Sequence, residues 1–230
     1  MSYSRLRQLV PPWLRKQVFH FEESIEHQVH LFAASLKHQA RVLDAGAGEG
    51  RHRLVFASHR YVAVDLGIGD RAWNYSGLDC VADLLHLPFC DCCFDAAISI
   101  VTLEHVTDPA AVLAEMARTS RPGAPLLLVV PQDWEVHQHP HDYWRFTRFG
   151  IEMLLEKTGW QLERMEAGGG YFRLLSRRLM NGLQFLPAWL MPIAAILVAP
   201  AAIAIGYLDP LDSRRDFTVG YICWAKRKIL

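Results

Sequence analysis

The chain has 230 residues, 51% of them apolar and 21% charged. That excludes a disordered chain and is enough for one good core, or one domain with a sizeable insertion. Basic and acidic residues number 24 each, so the basic face of a general nucleic-acid binder is not expected. Five cysteines without framework spacing set a reducing compartment as the expectation, and charges scattered over residues 1–17 argue against a secretory leader.

Apolar residues at Val18, Phe21, Ile25, Val29, Phe32 and Leu36 step by three and four, which predicts an amphipathic helix within an N-terminal segment, 1–40. Arg41-Val42-Leu43-Asp44 is a short strand stopped by Gly46, Gly48 and Gly50, with a helix expected after the tight loop. Tyr61–Val64 is a second strand ending at Asp65, Asp79–Ala82 a short third, and Phe94–Ile100 a fourth. Asp108 as cap and Pro109 in the first turn open a helix with a buried stripe of Val112, Leu113 and Met116, stopped by Pro122-Gly123. Leu126–Val130, a continuous apolar run, is a fifth strand of the kind covered on both faces. A helix from about Arg148 to Thr158, capped by Thr147 and ended by Gly159, precedes strands at Trp160–Glu166 and Phe217–Lys226. This alternation predicts an α/β fold: a Rossmann-like, seven-stranded, mostly parallel sheet sandwiched by helices, with a hydrophobic helical insertion before the last strand. The core covers 41–166, the insertion 167–216, and the last strand lies in 217–230.

Open α/β sheets bind ligands where glycine loops leave the carboxyl ends of their strands. Here Asp44 precedes Gly46 and Gly48, so the loop is negative, which suits a ligand bearing an ammonium group better than a pyrophosphate. Asp65 follows Gly46 by 19 residues, where a carboxylate can accept from ribose hydroxyls. The run Val42–Gly50, then Ala82-Asp83-Leu84-Leu85-His86-Leu87-Pro88-Phe89, Phe94–Ser99, Leu103-Glu104-His105-Val106 and Arg121-Pro122-Gly123 resembles class I S-adenosylmethionine-dependent methyltransferases, in the broad group related to quinone-biosynthesis enzymes.

The resemblance implies S-adenosylmethionine as cofactor. Asp44, Gly46 and Gly48 would line its methionine part, Asp65 would hold the ribose and Leu66 would lie against the adenine. Asp83 would meet the adenine amino group with Leu84 beside the ring, and Ser99 and Ile100 would lie near the sulfonium. The stretch Gly67–Asp79 is too short for the helix usual in the family, and Trp73 or Tyr75 either covers the adenine or simply packs. The loop Gln132–Thr147 faces the acceptor. Its segment His141–Thr147 resembles one in methyltransferases of cell-surface and glycan gene clusters. Candidate acceptor-site residues are His105, as a positioning group, with His139, His141, Tyr143 and Arg145; His137 and Asp142 are further candidate bases. Arg145 has a plainer reading, bonding backbone carbonyls to close the loop. No metal is expected: the alternating histidines 137, 139 and 141 have no supporting ligands nearby, and Cys90, Cys92 and Cys93 lack zinc spacing.

From Leu179 to Leu208 there are 30 residues without formal charge. Pro187, Pro192 and Pro200 would break them into two helices, each too short for a bilayer. Arg177-Arg178 and Arg214-Arg215 flank the stretch and place both ends on one side. The expectation is a re-entrant or monotopic hairpin over 183–208 on the cytoplasmic face of a membrane. Trp189 and Tyr207 would sit at the interface, and basic residues near the N-terminus would help attachment. The acceptor would then be a lipid, a lipid-linked saccharide or another amphipathic small molecule. The alternatives are a soluble, cytoplasmic small-molecule methyltransferase whose insert is a lid or dimer contact, and a non-catalytic interaction module at the membrane.

Overall fold

The computed structural model describes residues 19–69 and 72–229. The N-terminal basic residues read as membrane-attaching therefore lie outside the described residues. The apolar runs form β1 (Arg41–Ala45), β2 (Arg60–Asp65), β3 (Cys80–Val81), β4 (Ala96–Ile100), β5 (Pro125–Pro131), β6 (Trp160–Ala167) and β7 (Gly220–Arg227). They make one seven-stranded sheet in the order β3-β2-β1-β4-β5-β7-β6. β1 pairs in parallel with β2 and β4, so that Asp44 stands opposite Ala63 and Ile98, and β2–β3 and β4–β5 are parallel too. Backbone bonds join Gly159 to Lys228 and Gly168 to Gly220, so β7 runs antiparallel to β6. The chain moves outward from β1 through β3 and then resumes on the other side of β1 with β4. This reversal opens a crevice at the carboxyl ends of β1 and β4, which is where such sheets take ligands.

The sheet centre is dry. All five residues of β4 are buried, and Leu126 to Val130 of β5 are wholly inaccessible. α1 (His20–Ser35) buries Phe21, Ile25, Val29 and Phe32, the stripe expected from its period. Gln28, buried on the same helix, donates to Glu166 at 2.9 Å and accepts from Arg164 and Trp224 at 3.0 Å each, so its amide is satisfied. α2 (Pro109–Thr119) buries Val112, Leu113 and Met116, and Trp160 donates its indole N–H to Leu113 O at 2.9 Å. Asp108 caps α2 by accepting from Ala111 N at 3.0 Å, and Thr147 caps α3 (Arg148–Lys157) by accepting from Gly150 N at 3.2 Å. Such caps each contribute about 1 kcal/mol.

Two local expectations are corrected. The segment after the glycine loop is a string of i→i+3 turns rather than an α-helix, with one i→i+4 bond, from Phe56 N to His52 O at 3.3 Å. Gly50, at φ +71°, and the start of β2 at Arg60 leave too little chain for a regular helix. Nor does Pro200 break the apolar stretch. It lies inside α5 (Met191–Gly206), while Pro192 occupies the first turn, where a missing N–H costs nothing. Among the described residues of the stretch Gly67–Asp79, where no full helix is expected, the helical part is one 3-10 turn, Tyr75–Gly77.

The chain divides into two compact units, His27–Glu166 with Tyr221–Leu230, and Ala167–Gly220 with the N-terminal segment up to Glu26. The second holds α4 (Tyr171–Gly182) and α5, which pack together. The stretch Met191–Leu211 is long and apolar enough to cross a membrane by length and composition. Within α5 only Ala202 and Gly206 are buried. The unit closes on itself through Asp209, whose buried carboxylate accepts from Gly170 N at 3.0 Å and Arg173 N at 2.9 Å and pairs with Arg215. Asp212 accepts from Tyr171 N at 2.8 Å.

Candidate active site

The loop after β1 is held by its neighbours and carries no side chain at Gly46, Gly48 and Gly50. Gly46 N and Ala47 N both donate to Val64 O, at 2.9 and 3.0 Å, fastening the loop to β2. Gly46 has φ +84°, and a Cβ there would lie 2.1 Å from Thr102 Cγ2; no side chain fits. Gly48 has φ +55°, and its missing Cβ would sit 3.3 Å from the Trp73 ring. Asp65 locks the geometry: Oδ2 accepts from Gly48 N at 2.9 Å and Oδ1 from Gly67 N at 2.8 Å. A carboxylate offers about four lone-pair sites, so acceptor capacity remains for a ribose hydroxyl. Asp44 is buried at the end of β1 and accepts from the Tyr61 hydroxyl. Burial lifts its carboxyl to about 7, against the opposing hydrogen bond from Tyr61 and the attraction of Arg51.

Beyond Asp65, Leu66 and Ile68 are exposed apolar residues, 44% and 55% accessible, an uncovered surface of the kind a purine ring needs. Leu84 is buried, and exposed Asp83 makes a turn by accepting from Leu85 N at 2.9 Å. Ser99 and Ile100 are core residues. Ser99 is inaccessible and donates to Ala45 O at 2.9 Å, tying β4 to β1. Trp73 packs on Gly48 and edge-on to Tyr75, with ring centroids 6.2 Å apart. The crevice thus offers a sulfonium nucleoside a loop without side chains at Gly46 and Gly48, the remaining acceptor capacity of Asp65 and an apolar platform at Leu66 and Ile68.

The loop after β5 brings a second cluster to the end of β4. His105, in the 3-10 turn Leu103–His105, places Nδ1 2.5 Å from His141 O and Nε2 3.1 Å from His137 Nε2. Glu104 is fully inaccessible and neither carboxylate oxygen has a hydrogen-bond partner; burial raises its carboxyl to about 8. Burial also lowers the His105 pKa, partly offset by the His141 carbonyl. Burial works against the Asp142 carboxylate, but the Arg145 guanidinium and the His137 N–H prevail and hold it at about 2. Arg145 is committed to the loop. It grips Asp142 at 2.6 and 2.9 Å and donates to the carbonyls of Trp134, Glu135 and Trp144. Its plainer reading is therefore the structural one. The His141 ring turns to Tyr143, Nδ1 to hydroxyl 2.9 Å, and His139 is exposed beside the cis His139–Pro140 bond. Of the candidates, His105 and His137 meet; His139, His141 and Tyr143 do not join them. Glu104 was quoted only as part of a motif. Its signal was a lone acid amid apolar residues at a strand end.

The family described as a methyltransferase domain matches residues 43–128, from β1 to the middle of β5. Residues 43–128 thus match a methyltransferase domain, and the fold is that of S-adenosylmethionine-dependent methyltransferases of known structure. A demethylmenaquinone methyltransferase of Mycobacterium marinum is 36% identical over 92 residues, 38% of this chain and 40% of that protein. The chain spans 17% to 44% of the length of the curated relatives it matches. The methyltransferase fold extends further than the sequence match. Phosphoethanolamine N-methyltransferase 2 of Haemonchus contortus, solved with S-adenosyl-L-methionine, superposes with a TM-score of 0.57 at 18% identity, over 90% of this chain and 53% of that one. The 1,6-didemethyltoxoflavin-N1-methyltransferase of Burkholderia thailandensis, solved with bound 1,6-didemethyltoxoflavin and S-adenosylhomocysteine, gives a TM-score of 0.54 at 17% identity, over 98% of this chain and 88% of that one.

Proposed function

We propose that this protein transfers a methyl group from S-adenosylmethionine to an amphipathic small molecule, a lipid or lipid-linked saccharide, at the cytoplasmic face of a membrane. The observation that carries the transfer is the glycine loop locked by Asp65, within the matched methyltransferase domain. Asp44, Gly46 and Gly48 would take the methionine end, Asp65 the ribose, Leu66 and Ile68 the adenine face, with Asp83 and Leu84 at its rim. The cofactor supplies a methyl group on a sulfonium, a strong leaving group, so the chain's own task is alignment and exclusion of water.

The membrane part rests on α5 and the turns just before it. Phe185, Trp189, Ile196 and Leu197 are between 72% and 83% accessible, and in water an apolar surface of this extent marks an interaction site. In a leaflet it is solvated. Replacing Ile196 and Leu197 together by aspartate is expected to abolish flotation with anionic liposomes while leaving S-adenosylmethionine binding unchanged. Wild-type protein that fails to float would remove the membrane reading and leave the soluble one.

A second expectation concerns pH. In the free protein the Asp44 carboxyl titrates near 7, while a ligand ammonium requires the carboxylate. Binding below pH 7 must therefore expel a proton, and affinity should fall as pH drops from 7 to 5.5, by at most about tenfold per unit. The effect on folding has the opposite sense. Between about pH 4 and 7 the unfolded chain has released this proton and the native state keeps it, so Asp44 lowers stability as pH rises to 7. Calorimetric titration of S-adenosylmethionine across this range checks the first effect. A flat profile, or an unchanged slope in Asp44→Asn, would show that Asp44 is not the partner.

A further inference from the structure

Two imidazole nitrogens and one buried carboxyl group face one another where β4 and β5 end. A neutral imidazole carries one N–H, and the other nitrogen is a bare lone pair. His105 Nδ1 lies 2.5 Å from the carbonyl of His141, and His137 Nδ1 lies 3.0 Å from the carbonyl of Glu135. Carbonyls cannot donate, so both Nδ1 atoms hold the proton and both Nε2 atoms are lone pairs. Those two Nε2 atoms are 3.1 Å apart. Glu104 Oε1 completes the triangle, 3.7 Å from His105 Nε2 and 4.0 Å from His137 Nε2. Its carboxylate is wholly buried and meets no donor. Two lone pairs and a carboxyl converge with no other protein donor between them, and what satisfies them is either a proton kept on Glu104 or a cation at their centre.

We propose that Glu104, His105 and His137 form a binding site for one divalent transition-metal ion of the zinc type, held by two imidazole nitrogens and one carboxylate oxygen with at least one position left open. Nitrogen and oxygen ligands about 2.0–2.2 Å from a tetrahedral ion stand roughly 3.3 Å apart, so the observed triangle needs only sub-ångström adjustment. The outer contacts fit as well. A metal-bound histidine donates its other N–H to a carbonyl or carboxylate, which fixes ring and tautomer. His105 uses the His141 carbonyl; His137 uses the Glu135 carbonyl, with Asp142 Oδ2 3.4 Å away. Asp142 is in turn gripped by Arg145. This gives the Gln132–Thr147 loop, tied together by Arg145 and Asp142, a purpose: it delivers His137 to a pair of ligands just beyond the end of β4. The histidines that alternate along the sequence do not ligate together; the set takes one of them and draws the other two ligands from elsewhere. A mixed nitrogen and oxygen set without thiolate accommodates zinc, cobalt, manganese or iron. The site stands independently of which acceptor is methylated.

The test uses the untagged full chain, stripped with a chelator and titrated with cobalt(II), read by visible absorption and by bound metal per chain. The expected result is one cobalt per chain with d–d bands of a nitrogen and oxygen site and no thiolate charge-transfer band. Glu104→Gln and His137→Asn should each weaken binding by at least about tenfold, and Asp142→Asn, one shell out, by about tenfold. S-adenosylmethionine binding, measured on the same samples, reports that each variant is folded. His137→Asn, on a half-exposed loop residue, carries the test if Glu104→Gln fails to fold. The proposal is overturned if cobalt does not bind stoichiometrically, binds equally to the variants, or shows a thiolate band. In those cases the cluster is neutralised by protons, and the cofactor-binding reading stands untouched.

Discussion

Replacing Gly46 by alanine is expected to weaken S-adenosylmethionine binding about a hundredfold, some 2.7 kcal/mol, and to lower the melting temperature. Two costs combine at this position. The backbone sits at φ +84°, where an L side chain costs about 1–2 kcal/mol. A Cβ would also overlap the side chain of Thr102, with Cγ2 at 2.1 Å, Oγ1 at 2.3 Å and Cβ at 2.7 Å. Thr102 belongs to the turn after β4 and cannot yield without moving that strand's end, so the loop must shift, carrying Gly48 away from Asp65. Gly123 is the matched control. Its φ is +79°, nearly the same, yet nothing lies within 4 Å of its missing Cβ. Gly123→Ala should therefore show only the backbone penalty, about 1 kcal/mol, and normal cofactor affinity. Thr102→Gly combined with Gly46→Ala should recover part of the loss. Equal effects of the two single alanines, measured by chemical denaturation and by calorimetry, would show that the overlap is not what constrains the loop.

The second large effect is on folding of the helical unit. Asp209→Ala should destabilise it by about 2–3 kcal/mol, chiefly the cost of leaving buried amides without their acceptor, since the Arg215 guanidinium is 36% exposed and its pairing adds little. The substitution leaves the Arg215 guanidinium without its buried partner and strips the amides of Gly170 and Arg173 of their acceptor at the first turn of α4. Asp209→Asn keeps an acceptor for those amides and loses the charge, so it should fall between. Asp212→Ala, which removes the bond from Tyr171 N and an Arg215 N contact on a less buried residue, should cost less. Hydrogen exchange read at the start of α4 would follow the loss residue by residue. Wild-type protection there in Asp209→Ala would refute the assignment.

Much of the sheet was legible because its signals are local. The dry runs of β4 and β5 read as covered strands, Asp108 and Thr147 read as caps, and the glycines after Asp44 read as a tight loop at a strand end. Each depends on a few adjacent residues. The turns after Gly50 were misread because helix formation there is decided by how little chain remains before β2. Pro200 was misread because a single missing N–H does not outvote the apolar residues on either side of it. At the site, Ser99 and Arg145 carry residue types that suit chemistry, yet both are spent on holding backbone, which only three-dimensional neighbours reveal. The pairing of His105 with His137 was illegible for the same reason: two loops far apart in sequence set it, and neither loop has a period to read.

The hydrogen bond from Gly168 N to Gly220 O, 2.8 Å, places the exit and the return of the helical excursion side by side. An excursion whose ends already touch imposes almost no entropic demand that grows with its length, since such demands rise only logarithmically. The segment can therefore be lengthened, shortened or resurfaced with little penalty to the sheet.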